Sequence, residues 1–390
     1  MSTIIVDEIL DSDGGSINFV DGFTIQGNSL SNINFMRVID SAGPPYDSAG
    51  QSGAYNGLLW YDDSSERMNI LTPIGWKTLS GTITNYPVIA NYYGDRAVVA
   101  GGDLYNAGQT TQINYFSIAN IGNASDFGDL STATDQHGSG SNGSIKVMFG
   151  GNKPGVGYIQ DMTYITFSTL GNSQSFGTLG NGNRTASGAS DGDLCVYAGD
   201  ISSGSVSSNA IRYFAFTNFT SVSSFGNLQN YRGDLAVCSD GTYGTYAGGR
   251  KQDPSTNGNE IDYITIQTPS NATDFGDITV SARSGLRGCS DDTRGLHFGG
   301  GGTNIIEYIT IAVPSNATDF GDLGKENGDT ACASDGTYAF CSGGNRYIDS
   351  YYLYQESNVI EYVTIQTTGN ATDFGDLLIA VDDASAESGN

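Results

Sequence analysis

An internal repeat constrains this chain more than any other feature: from about residue 82 onward one unit of roughly 49 residues recurs six times. Its best copy runs from Arg232 to Ile278 and reads RGDLAVCSDGTYGTYAGG, then a variable loop, then IDYITIQTPSNATDFGDI. A tyrosine recurs at Tyr115, Tyr164, Tyr213, Tyr263, Tyr308 and Tyr362, and a phenylalanine follows at Phe127, Phe176, Phe225, Phe275, Phe320 and Phe374, with one constant separation in every pair. The glycine that ends the second apolar run stands at Gly101, Gly150, Gly199, Gly248, Gly299 and Gly343. Its separation from the tyrosine is nearly constant in the first four units, contracts between Gly299 and Tyr308, and stretches between Gly343 and Tyr362. Most of the length variation therefore lies in one loop. A unit of this size cannot bury both faces alone and must stack on its neighbours.

Each unit reads as four short strands. Alternation in IDYITI and IEYVTI, rich in β-branched and aromatic residues, is a strand signal, and Ser-Asp-Gly-Thr between two apolar runs (Ser239 to Thr242, Ser334 to Thr337) is a tight hairpin turn. Four antiparallel strands in this period predict a propeller blade. With Arg232 opening a first strand, Gly248 and Gly249 ending the second, Tyr263 in the third and Phe275 in the fourth, the repeat resembles the kelch family over roughly residues 82 to 376. It departs from that pattern in having Phe for the usual Trp, Gly199-Asp200 for Gly-Gly in the third unit, and several first strands without Arg. The fold expected is all-β: a kelch-like β-propeller with six four-stranded repeats. It has six blades, or seven if Gly57 to Leu79 and Leu378 to Asn390 build one more blade from the two ends.

The division expected is an N-terminal segment 1–56, a fibre-type hairpin or partial closing blade 57–81, the propeller 82–376, and a C-terminal tail or closing strand 377–390. Residues 1–80 alternate short apolar runs with Asp-Gly and Gly-Asn turns and hold too little apolar surface for a core of their own, which oligomerisation would supply. With Ile5-Val6-Asp7, Asp13-Gly14-Gly15 and Asp21-Gly22, this opening resembles the virion-anchoring start of phage tail-fibre proteins, particularly those of cyanophages. The stretch from Gly57 to Trp76 likewise resembles a hairpin common in phage fibres. These resemblances imply a virion appendage, a tail fibre, adhesin or decoration protein on the tail or capsid. They also imply synthesis in the host cytoplasm, contacts with other virion proteins through the N-terminal segment, and a homotrimer.

Composition removes several function classes. Lys and Arg number 16 against 42 Asp and Glu, a net charge of −26, and a field of that sign repels phosphate backbones and anionic lipids. Nucleic acid is not an expected partner. No apolar run approaches the roughly 18 residues that a membrane-spanning helix needs, and the N-terminus has no basic segment, so neither membrane insertion nor a cleaved signal is expected. The five cysteines, Cys195, Cys238, Cys289, Cys332 and Cys341, follow no C-x-x-C spacing and read as small core residues.

Variable loops on a fixed scaffold are a way to present a binding surface. The longest, Asn345 to Val359, carries Tyr347, Tyr351, Tyr352 and Tyr354, whose flat faces and hydroxyls suit a sugar ring or a protein epitope. Arg250 and Lys251 are scarce cations in another loop, placed to meet an anionic glycan. Set against this, tyrosines packed over the rim and a solvated basic loop are ordinary structure. Asn123, Asn271, Asn316 and Asn370 are formally glycosylation sequons, but recurrence at one repeat position points to a turn in which Asn tolerates positive φ. The carboxylate pairs of the fourth segments, such as Asp274 and Asp277, match no calcium-loop spacing and read as solvated turn acids.

The only tryptophans, Trp60 and Trp76, lie outside the repeats, unlike sialidase boxes, and the only histidines are His137 and His297, too few for a galactose-oxidase-like copper centre. No catalytic residue, metal or cofactor is expected, and the ligand expected is a host-surface glycan or protein. A glycan-degrading virion enzyme and a purely structural spacer are the alternatives.

Overall fold

The structure, a computed structural model, describes residues 94–390 apart from 105, 185–186, 203–205, 218, 220, 253–255, 281–282 and 348–353, and before residue 94 only strands. The chain forms two compact units, Met1–Val88 and Ile89–Asn390. In the first, Leu59–Asp62, Arg67–Thr72 and Gly75–Thr78 form an antiparallel meander with Met36–Val38 added in parallel to its first strand. The virion-anchor motifs at Ile5-Val6-Asp7, Asp13-Gly14-Gly15 and Asp21-Gly22 lie outside the described residues.

The second unit is all β, with no helix among the described residues. Its sheets form a propeller-like ring. The fourth repeat shows the plan: Ala236–Ser239, Tyr243–Ala247, Glu260–Thr265 and Thr273–Asp277 pair in sequence order as one antiparallel sheet. Four sheets of this unit have four strands each. The last two repeats fuse into a nine-stranded sheet because Asn345–Tyr347 pairs with Thr318–Gly328 on one side and Tyr354–Thr364 on the other. First strands neighbour one another in a closed cycle: Gly138–Ser141, Ser187–Ser190, Ala236–Ser239, Arg287–Ser290, Ala331–Ser334, then Ser385–Gly389, which meets Gly138–Ser141 again. That last strand comes from the C-terminus and pairs antiparallel with Arg96–Ala100, so the first repeat takes its inner strand from the far end of the chain. The meander at 59–78 belongs to a separate sheet and not to this one.

The constant spacing from tyrosine to phenylalanine has a physical origin. In all six repeats the third-strand tyrosine meets the fourth-strand phenylalanine edge to face, from 5.7 Å between centroids for Tyr263 and Phe275 to 6.1 Å for Tyr308 and Phe320. A β-bulge makes this possible: Ile261 faces Gly276 and Asp262 faces Asp274, leaving Phe275 as the extra residue, turned inward and buried. The Ser-Asp-Gly-Thr turn is closed by Asp240, whose Oδ1 accepts the N–H groups of Thr242 and Tyr243 at 2.8 and 2.6 Å. All five cysteines are buried and free.

Repeats are stitched to one another at three heights. At the outer edge, Asn316 Oδ1 accepts the Asp277 N–H of the preceding repeat at 3.0 Å, and Asn370 and Asn123 do the same to Asp322 and Asp376. This corrects the sequence reading: none of the four sequon asparagines has positive φ, and their side chains clasp the adjacent sheet instead of shaping their own turn. Midway, in four of the repeats the residue before the tyrosine accepts an N–H from the connection leaving the previous repeat: Asp262 from Gln229, Glu307 from Thr279, Glu361 from Gly324, and Asn114 from Leu378. The three acids among them also hold cations, the buried Arg232 at 2.9 Å from Asp262 and Arg283 at 2.6 Å from Glu307, and the half-buried Arg346 at 3.2 Å from Glu361. Near the axis, turn serines link inner strands: Ser290 Oγ donates to Ser239 O (2.7 Å), Ser239 Oγ to Ser190 O (2.8 Å) and Ser141 Oγ to Ser388 O (3.2 Å).

Candidate binding face

Antiparallel order puts the second-to-third loops at the same end of the sheets as the connections that enter the first strands. At that end the inner strands begin with a strained ring. The residue five before each turn serine has positive φ in every described case: Gln136 (52°), Asp234 (63°), Gly285 (70°), Asp329 (53°) and Asp383 (51°). Asp tolerates this region far better than β-branched residues do, which explains the residue type and gathers carboxylates around the axis.

Arg287 answers them. Its guanidinium lies 2.8 Å from Asp234, 3.6 Å from Asp383 and 3.8 Å from Asp329. Gln136 Nε2 donates to Asp383 Oδ2 at 2.8 Å, and Arg184 donates to the side-chain Oε1 of the same glutamine. Burial among like charges still raises the Asp383 and Asp329 carboxyls above the ordinary range, while the three aspartates hold the guanidinium firmly charged. Deeper, Ser139 Oγ donates to Glu387 at 2.8 Å, Lys146 Nζ donates to the carbonyls of Ser385 and Val98 at 2.6 and 3.2 Å, and His137 Nε2 meets Ser385 Oγ at 2.8 Å. Burial holds the His137 imidazole neutral, its pKa lowered to about 3.

Size decides what this axis can hold. The cavity at the loop end is about 70 Å³ and that beside the serines about 100 Å³. Small-molecule sites measure roughly 300–1,000 Å³, so these spaces suit a few waters and not a sugar ring. A receptor would have to be met by the surrounding loops.

Among the loop residues singled out from sequence, Tyr347 is half-buried in the hairpin where it faces Tyr354, whose backbone alone is described. Tyr351 and Tyr352 lie outside the described residues. Arg250 is exposed, its chain bridged to Asn257, and Lys251 is half-buried in an ion pair with Glu260, which neutralises much of its pull on an anion. The axial ring of Gln136, Asp234, Asp329, Asp383 and Arg287 was missed by sequence reasoning, although its fixed offset from the turn serine is a readable signal. Comparison with family models and with curated proteins gives no match for this chain.

Proposed function

We propose that the ring is a six-bladed, kelch-type propeller, closed by the C-terminal strand within the first blade, and that it serves as a receptor-binding appendage on a phage particle. In this reading the N-terminal segment attaches the chain to other virion proteins as a homotrimer, and the second-to-third loops grip a host-surface glycan or protein by reversible, non-enzymatic contact. One observation carries the binding reading: length varies most at a single loop position, shortest between Gly299 and Tyr308 and longest between Gly343 and Tyr362, while the rest of the repeat holds register apart from one extra residue between Phe275 and Gly299. A scaffold that is stitched between repeats yet free at one face is suited to adapting its contacts without refolding. The virion setting rests on the resemblance of residues 1–80 alone.

The test is competition. Purified full-length protein is expected to block phage adsorption, and a chain with residues 348–353 replaced by an equal length of Gly and Ser is expected to lose that block while keeping its melting temperature. Equal blocking by both chains would place receptor binding outside this loop, and no blocking by the natural chain would leave only a structural spacer. Release of reducing ends from host polysaccharide would favour a glycan-degrading enzyme instead, and light scattering of the full chain reads the trimer directly.

A further inference from the structure

The seam where the last repeat meets the first gathers carboxylates that no described cation neutralises. Asp103 follows the Gly101-Gly102 end of a second strand and forms an isolated antiparallel bridge with Asp382, which stands three residues before the closing strand Ser385–Gly389. The Asp103 N–H donates to Asp382 O at 2.9 Å and the Asp382 N–H to Asp103 O at 3.3 Å. Directly opposed like charges destabilise such a pair. Glu356, from Tyr354–Thr364 of the sixth repeat, joins them, and one carboxylate oxygen from each of the three lies within 4.8 Å of the other two. No described salt bridge reaches any of them.

A second observation points to a missing partner. Asp382 is only 9% exposed, and its Oδ1 is buried without a hydrogen-bond partner, as is Oε2 of Glu356. Nearby Asp135, 6% exposed, also has a buried Oδ1 with no partner. Burial, then the surrounding Asp329, Glu356, Asp103 and Asp135, push the Asp382 carboxyl up to about 7. Buried oxygens of one sign without donors are what a cation site presents before its ion arrives.

We propose that Asp103, Glu356 and Asp382 bind a hard divalent cation of the calcium class, which fastens the C-terminal end of the chain to the first and sixth repeats. All donors are oxygens, which suits Ca²⁺ and not zinc. Oxygens that lie within 4.8 Å of one another can share one Ca²⁺ at about 2.4 Å each, and its flexible coordination leaves room for waters beside three protein ligands. The bridged backbone fixes two ligands, and the third comes from the hairpin that fuses the last two repeats. The ion would therefore lock ring closure.

Calorimetric titration of CaCl₂ into chelator-treated full chain is expected to show one saturable site. Thermal denaturation at a hundredfold excess over the dissociation constant is expected to rise by about 4 °C relative to EDTA. D382N is expected to weaken binding at least tenfold and abolish that rise, while melting higher than the natural chain in EDTA because one repelling charge is gone. E356Q is expected to behave alike and decides the matter if D382N fails to fold by circular dichroism, and D373N, on the outer strand, keeps the wild-type response. Absence of saturable heat with equal melting in Ca²⁺ and EDTA overturns the proposal, as does a folded D382N or E356Q that binds Ca²⁺ like the natural chain.

Discussion

Replacing Arg232 by Met tests whether the buried ion pairs hold the repeats together. The side chain is fully buried, and its guanidinium donates to Gly248 O at 2.5 Å, Glu260 O at 2.8 Å, Asp262 Oδ2 at 2.9 Å and Tyr246 O at 3.3 Å. Methionine fills much of the volume but donates nothing, leaving a buried Asp262 carboxylate whose remaining partner is the Gln229 N–H at 3.2 Å. Stranding one charge of a buried pair costs about 3–5 kcal/mol, a large share of the roughly 5–15 kcal/mol that stabilises a domain. Equilibrium urea denaturation should therefore show R232M shifted by about 1 M or more, taking a slope of about 3 kcal/mol/M. The double variant R232M/D262L removes the stranded charge and should recover about 2–3 kcal/mol. The remaining deficit reflects the Gly248 and Tyr246 carbonyls and the Gln229 N–H, which lose their side-chain partners, while Glu260 O keeps the Gly248 N–H at 2.9 Å. A cost below about 1 kcal/mol for R232M, or strictly additive costs in the double variant, would refute the claim that this pair is a structural unit.

Gly276 has φ of 146°, and a Cβ there would meet Ser315 O of the next repeat at 2.5 Å, so G276A should cost about 2–4 kcal/mol in the same assay. Gly108, at φ of 76° with open space around it, should lose only about 1 kcal/mol on the same change, and equal costs would show that contact between repeats does not matter. N316A, which removes an exposed clasp, should cost no more than about 1 kcal/mol, and a larger loss would mean the outer edge carries more than one hydrogen bond per junction. Burial pushes Glu387 up from 4.5 to about 7, so the folded chain binds a proton that the unfolded chain releases between those values, and stability should fall as pH rises from about 4.5 to about 7. Melting followed by circular dichroism in EDTA should show this slope in the natural chain and a flatter one in E387Q.

The sequence made the repeat legible because its anchors are chemically distinctive. Tyr263 and Phe275 mark two strands and the hairpin between them, Ser239 to Thr242 marks another turn, and Gly248 sits at the φ of 64° that glycine adopts without steric cost. Acids before the tyrosine were harder to read. Asp262, Glu307 and Glu361 look like ordinary strand residues until the fold brings Arg232, Arg283 and Arg346 against them. Closure by Ser385–Gly389 was only faintly visible, since SAESG has little apolar content and its place depends on Arg96–Ala100, nearly the whole ring away. The carboxylates at the seam could not be seen at all, because Asp103, Glu356 and Asp382 have no spacing that a local motif can express.

The stitches between repeats also explain why length varies most in one loop, the connection between Phe275 and Gly299 differing from its counterparts by a single residue. Shifting the third-to-fourth turn would pull Asn316 off Asp277, whereas the connection into the first strand keeps Thr279 on Glu307 and takes up its one extra residue beyond that bond. The first-to-second turn is held by Ser239 and Ser290 against adjacent inner strands. An insertion in either turn would break bonds between two repeats. Among the described residues the second-to-third loop is tied chiefly near its roots, as where Ser207 N–H donates to Gln252 Oε1 at 2.8 Å and the Gly249 N–H to Arg283 O at 2.7 Å. Beyond those roots added residues cost mainly loop-closure entropy, about 0.6 kcal/mol per doubling of length. The same physics that fixes the ring leaves that face open to change, and a surface that must follow a changing receptor would have to be placed there.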